Sequence, residues 1–165
     1  MITGVGQGYL TTTPLQLATM TAMIANDGKR VFPVIFKNFG ASIYNNKEKD
    51  SEISNQNNFF SIIKKGMFSA VNKPFGTAYK SKLSKPIFAG KTGTVQVRTI
   101  SEKEREAGII PNNELPIKKR DHAIFIGYAP YENPKIAISV VIEHGGSGSK
   151  IAAPIAKKVF QKVLS

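Results

Sequence analysis

The sequence predicts an α+β domain in which helices come first, three antiparallel strands follow and a last helix closes the chain. Three observations lead there. Residues 14–25 and 59–71 place apolar side chains at helical spacing, the first between clear start and stop signals. Three runs rich in Ile, Val and Phe occupy 87–97, 123–129 and 135–143. The last two are separated by only Pro130 to Pro134, short enough for an antiparallel hairpin. Residues 1–86 thus read as mainly helical, and 87–165 as strands with a terminal helix.

Each element has its own reason. Thr13-Pro14-Leu15-Gln16 has an N-cap, a proline suited to the first turn and the glutamine of a capping box. Leu15, Leu17, Ala18, Met20, Ala22, Met23, Ile24 and Ala25 make that helix apolar on most sides, and Asn26-Asp27-Gly28 ends it. Val31 to Phe36 is a short β-type run, and 37–58, rich in Asn, Lys, Ser and Glu, reads as an exposed loop. Phe59 to Val71 predicts an amphipathic helix with Phe59, Ile62, Ile63, Met67 and Val71 as its core face and Lys64-Lys65 outward. Pro74, Gly76 and Pro86 mark an irregular connection. The strand Ile87 to Val97 follows, then a charged, proline-containing loop over 98–121. After the hairpin, Gly145 to Ser149 leads into a helix with Ile155, Val159, Val163 and Leu164 on one side and Lys157, Lys158 and Lys162 on the other.

Composition narrows the chemistry. The 165 residues carry a formal charge of +12, from 19 Lys and 4 Arg against 11 acidic residues. Nucleic-acid readers lean on Arg for base edges and on aromatics for stacking, so scattered lysines do not predict a nucleic-acid partner. With no cysteine, a disulfide framework, a thiolate metal site and a cysteine nucleophile are excluded. His122 and His144 are too few for a metal centre, and no cofactor motif stands out. No apolar run approaches the roughly 20 residues of a membrane span.

The strongest local signal is Gly90-Lys91-Thr92-Gly93-Thr94. A phosphate-binding P-loop needs a glycine where Lys85 stands, and its lysine opens a helix, whereas Val95-Gln96-Val97 continues a strand. The alternative is a strand used as a binding rail. Lys91 supplies a cation, Thr92 and Thr94 supply hydroxyls on one face, and Gly93 leaves the backbone open to a ligand. An edge strand with a protective lysine would look the same. Ser61-Ile62-Ile63-Lys64 and Ser147-Gly148-Ser149-Lys150 both match Ser-x-x-Lys, but the first sits among solvated lysines and the second in a glycine loop. His144-Gly145-Gly146 is similar to a hydrolase oxyanion loop, yet lacks the accompanying nucleophile elbow.

Lys91-Thr92-Gly93 resembles the Lys-Thr-Gly motif of penicillin-binding proteins and serine β-lactamases. Further segments resemble class B penicillin-binding proteins in the same order: Gly4-Val5-Gly6-Gln7-Gly8-Tyr9-Leu10, Thr13 to Ala18, Gly66-Met67 with Val71-Asn72, Gly76-Thr77-Ala78, and Phe125 to Pro130 with Pro134-Lys135-Ile136-Ala137. The Gly-Gln-Gly form is similar to the elongation type, penicillin-binding protein 2. The family's motifs run Ser-x-x-Lys, Ser-x-Asn, Lys-Thr-Gly, and only the third stands at its expected place. There is no Ser-x-Asn; Tyr44-Asn45-Asn46 and Tyr131-Glu132-Asn133 are Tyr-x-Asn variants in the wrong places.

The resemblance therefore implies the C-terminal part of a transpeptidase fold, without the nucleophile, the second motif or the membrane anchor. It implies a parent enzyme that cross-links peptidoglycan stem peptides through a serine acyl-enzyme, is trapped by β-lactams, works with a membrane glycosyltransferase and lies on the periplasmic face of the inner membrane. Within it, Lys91 would provide positive potential, the Thr92 and Thr94 hydroxyls would hold the donor carboxylate, Gly93 would keep the strand accessible, and the Thr94 backbone N–H would form half of the oxyanion hole. The strand over 135–143 would lack its upstream neighbour, leaving an edge open to self-association. The competing expectation is a non-enzymatic basic α+β module that binds an anionic polymer.

Overall fold

The computed structural model describes residues 11–33 and 58–165. The Gly4 to Leu10 segment, the Tyr44-Asn45-Asn46 triplet, positions 34–36 of the expected early strand and positions 37–57 of the expected loop lie outside those residues. Positions 31–33 are exposed and take no regular structure.

Helix α1 (Pro14–Ala25) starts as the capping box dictates. Thr13 Oγ1 accepts from the Gln16 N–H at 3.2 Å, and Gln16 Oε1 accepts from the Thr13 N–H at 2.8 Å. It ends at Asn26, and Gly28, at φ 97°, donates its N–H to the Met23 carbonyl. The face it buries is small, formed by Thr21 and Ala25, while Leu15 and Met20 stay exposed. Thr21 is fully buried without penalty because its hydroxyl donates to the Leu17 carbonyl at 2.7 Å.

Helix α2 (Phe59–Asn72) buries Phe60, Met67 and Val71. Phe59, Ile62 and Ile63, expected inside, are exposed. The adjacent pairs Phe59-Phe60 and Met67-Phe68 let two overlapping stripes satisfy the helical period, and the sheet selects the one through Phe60, Lys64, Met67 and Val71. Lys64 accordingly points inward enough to meet the Asp27 carboxylate at 2.6 Å, joining α2 to the end of α1. Asn72 then donates to the Phe88 carbonyl at 2.9 Å, fixing the helix end to the entrance of the first strand.

The sheet has the order β1 (Ala89–Val95), β2 (His122–Ala129), β3 (Ile136–Ile142), all antiparallel. Register assigns its two faces. Thr92 opposes Phe125 and Thr94 opposes Ala123, so Gly90, Thr92 and Thr94 share the face of Phe125, Val140 and Ile142. Lys91 opposes Ile126 and shares the other face with Ala89, Tyr128 and Ala137. Helices α1 and α2 cover that second face, and α4 (Ala153–Leu164) covers the first. Between the first two strands, the stretch expected to be a loop contains the short helix α3 (Glu102–Ala107) and a 3-10 turn at Ile117–Lys119.

Two cores follow from the layering. Phe88, Phe125 and Phe160 form the centre of one, with Phe88 and Phe160 ring centroids 5.0 Å apart. Ala25, Met67, Ala89 and Tyr128 form the other. Helix α4 buries Ala153, Ala156 and Phe160 and partly buries Leu164. Ile155, Val159 and Val163, expected to line the core with Leu164, stay exposed. Small alanines weigh little in an apolar pattern, yet they are what lets α4 lie close to the sheet.

Tyr128 is fully buried, and its hydroxyl has no hydrogen-bond partner among the described residues. Burial, ahead of nearby acidic groups, pushes its phenol pKa upward. Tyr128→Phe keeps the ring and removes the orphaned hydroxyl. We expect it to raise unfolding stability by about 1 kcal/mol, measured by urea denaturation at unchanged slope. A clear loss of stability would show that the hydroxyl is satisfied in solution.

Candidate active site

The Lys91-Thr92-Gly93-Thr94 tetrad lies in the middle of β1, where the sheet holds the backbone straight and sends successive side chains to opposite faces. Lys91 is exposed, and its ammonium donates to the Thr92 carbonyl at 2.8 Å. It stands at a cavity of about 520 Å³ between β1 and α2, lined also by Ile24, Ile63, Met67, Phe75 and Thr77. Lys91 is the one charged residue in that lining. A single ammonium there can form a charge-assisted hydrogen bond with a ligand carboxylate.

On the other face, the Thr92 hydroxyl lies 3.0 Å from the Thr77 hydroxyl. Sequence reasoning did not single out Thr77 as a site residue; its signal was only its place in Gly76-Thr77-Ala78. Thr94 is exposed and follows Gly93 toward the end of the strand. A β-carbon at Gly93 would reach Ile124 Cβ at 3.4 Å, an ordinary contact, so packing inside the sheet does not require glycine there.

What does require glycine is the turn behind the strand. Gly148 opens a π-helical turn, Gly148–Ala152, that runs straight into α4. A β-carbon at Gly148 would lie 2.4 Å from the carbonyl oxygens of both Gly93 and Ile124. The turn's backbone therefore rests directly on the backbone of the tetrad. No short-range pattern in the sequence announces this contact, since the two glycines are 55 positions apart.

The segment after β1 is pinned by polar contacts. Arg98 and Glu104 form a bidentate pair, with Nη1 donating to Oε2 at 2.6 Å. The Arg98 hydrogen bonds hold the Glu104 carboxyl below its usual range. Asn112 and Asp121 exchange two hydrogen bonds, at 2.9 and 2.8 Å, while the Asp121 carbonyl accepts from the Gly146 N–H. Asp121 thus links this segment to the glycine turn.

The remaining candidates resolve into structural roles. Lys64 pairs with Asp27. Ser147 caps the π-helical turn, its hydroxyl accepting from the Lys150 N–H at 3.4 Å. His144, at φ 55°, donates its backbone N–H to His122 Nδ1 at 2.9 Å, and its own Nδ1 lies 3.0 Å from the Arg120 carbonyl. The first bond places the His122 proton on Nε2 and the second places the His144 proton on Nδ1. Among the described residues no group of three or more His, Asp or Glu could hold a metal, and no helix is long and apolar enough to cross a membrane.

Comparison with known proteins bears on this geometry. Residues 2–161 match the penicillin-binding protein transpeptidase domain. The chain is 37% identical to the peptidoglycan D,D-transpeptidase MrdA of Haemophilus influenzae over 169 residues, covering 98% of this chain and 25% of that one. It therefore spans about a quarter of the length of the curated relatives it matches. Penicillin-binding protein 2 of Pseudomonas aeruginosa, solved with the compound WCK 5153, superposes with a TM-score of 0.74 at 36% identity, over 96% of this chain and 31% of that one. Penicillin-binding protein 2 of Helicobacter pylori, solved in complex with MreC, gives 0.72 at 31% identity, over 99% and 26%. Matched over residues 2–161 by this domain and superposing on solved penicillin-binding protein 2 structures, the chain belongs to the penicillin-binding protein transpeptidase domain family.

Proposed function

We propose that this chain is the C-terminal part of an elongation-type peptidoglycan D,D-transpeptidase and forms the Lys-Thr-Gly wall of its active site. The observation that carries the reading is the run Lys91-Thr92-Gly93-Thr94 on β1, with Lys91 the sole charged residue lining an apolar cavity and Thr92 and Thr94 presented on the opposite face. The match to MrdA relatives supports the same activity for the whole protein.

In that enzyme a serine from outside this chain attacks the D-Ala-D-Ala bond of a stem peptide. D-Ala leaves, and an amine of a second stem resolves the acyl-enzyme. Lys91 supplies the positive potential that favours the deprotonated nucleophile. The Thr92 and Thr94 hydroxyls hold the donor carboxylate, and the Thr94 backbone N–H contributes half of the oxyanion hole. β-Lactams occupy the same place as the donor. A membrane glycosyltransferase and, after the Helicobacter relative's complex, an MreC-type protein are the partners we assign, at the periplasmic face of the inner membrane.

The division of labour is directly testable by intact-mass analysis after incubation with a β-lactam. The full-length transpeptidase should gain one adduct per molecule, and the 165-residue chain alone should gain none. A stoichiometric adduct on the isolated chain would overturn the assignment of the nucleophile to another part of the protein.

A further inference from the structure

Asp121 stands immediately before β2, half-buried, and is held through both its side chain and its backbone. Its Oδ1 accepts from the Val97 N–H at 3.3 Å, and its Oδ2 accepts from Asn112 Nδ2 at 2.9 Å. Its own N–H donates to Asn112 Oδ1 at 2.8 Å, and its carbonyl accepts from the Gly146 N–H at 2.8 Å. Both carboxylate oxygens are thus engaged, each toward a different segment. Such charge-assisted bonds are roughly twice as strong as neutral ones.

Two of these bonds bear on the tetrad. The β1–β2 ladder ends at the pair Val95 and His122, so the bond to Val97 tethers the chain beyond the last strand pair. The bond to Gly146 holds the turn whose Gly148 backbone rests on the Gly93 carbonyl. Thr94 follows Gly93 and lies between these two supports. Thr92 depends on them less. It pairs with Phe125 in mid-ladder, and its hydroxyl touches that of Thr77 at 3.0 Å. Loss of the Asp121 bonds therefore frees the end of β1 to fray as far as Thr94 while Thr92 stays in place.

We propose that Asp121, clamped by Asn112, is a positioning residue that holds the Thr94 hydroxyl and backbone N–H in their working geometry. This role rests on the transpeptidase reading, in which that N–H meets a full oxyanion only in the transition state. A shift of Thr94 then slows acylation more than it weakens the first encounter with the donor, whose carboxylate Thr92 still holds. The Asp–Asn pair also supplies its own rescue. D121N alone sets two donors face to face, and N112D alone sets two acceptors face to face. The exchanged pair D121N/N112D again places an amide opposite a carboxylate, with an acceptor left for the Val97 N–H and another for the N–H of residue 121.

The test follows acylation of the full-length transpeptidase by a chromogenic β-lactam in stopped flow, with concentration varied to separate the acylation rate constant from the Kd of the noncovalent complex. D121N and N112D should each lower the rate constant at least tenfold and leave Kd within threefold of wild type. The exchanged pair should recover the rate constant to within threefold. T21A removes a buried hydroxyl from α1, which packs on β2 and β3; it should lower stability in urea and leave both constants within twofold. A loss below tenfold in both single variants, a loss carried wholly by Kd, or an exchanged pair that folds yet stays slow would overturn the role. Should a single variant fail to fold, the exchanged pair decides alone by the same threefold limit. Absence of acylation in the wild-type protein counts against the transpeptidase reading itself, whereas acylation by wild type and by both single variants alike sinks the positioning role only.

Discussion

Replacing Lys91 by alanine in the full-length transpeptidase is expected to slow acylation by a β-lactam about 10²- to 10³-fold. The size follows from removing one preorganised electrostatic group from a site where little else carries charge. The side chain is exposed and packs no core, so stability should change by no more than about 0.5 kcal/mol. That separation makes the experiment decisive: a well-folded protein with a depressed second-order acylation rate identifies a functional lysine. Lys91→Arg should recover only part of the rate, because a planar guanidinium cannot reproduce a compact ammonium that folds back onto the Thr92 carbonyl. An acylation rate within threefold of wild type for Lys91→Ala would remove Lys91 from the mechanism.

Gly148→Ala should be strongly destabilising. The added carbon meets two carbonyl oxygens at 2.4 Å, and neither belongs to a side chain that can swing away. Either the π-helical turn lifts off the sheet or β1 bends at Gly93. We expect a loss of about 3 kcal/mol in urea unfolding and displaced amide resonances at positions 92–95. Gly66→Ala provides the control, since a β-carbon at that exposed helical position meets nothing within 4 Å. Equal stabilities for the two alanine variants would mean that the turn does not rest on the strand in solution.

Much of the fold was legible in the sequence because its signals are local. The capping box at Thr13 and Gln16 formed as written, the three strands paired in chain order, and the brief Tyr131–Pro134 turn forced the antiparallel hairpin. The tetrad's strand was legible for the same reason. The buried faces of α2 and α4 were not. In both helices two apolar stripes lie side by side, and only the tertiary partner decides which goes inside; for α4 it chose Ala153, Ala156 and Phe160 over Ile155, Val159 and Val163. The Thr77–Thr92 contact and the seat of Gly148 on Gly93 join residues far apart in the chain, so no window of sequence could show them. The resemblance pointed to the family; it did not point to the turn that supports the motif.

The Phe125 ring has a consequence for how this sequence can drift. A β-carbon at Gly90 would fall 2.2 Å from its Cζ, and one at Gly127 would fall 2.7 Å from its Cε1. Gly90 and Gly127 are themselves paired across β1 and β2. The ring thus occupies the space of two missing side chains, one residue before the lysine of the tetrad. Shrinking residue 125 would not free either glycine: a β-carbon at Gly90 would also lie 2.5 Å from the Ile126 carbonyl oxygen and one at Gly127 2.8 Å from the Ala89 carbonyl oxygen. Homologues should therefore keep glycine at positions 90 and 127 even where residue 125 varies, so this end of the strand can be reshaped only through position 125.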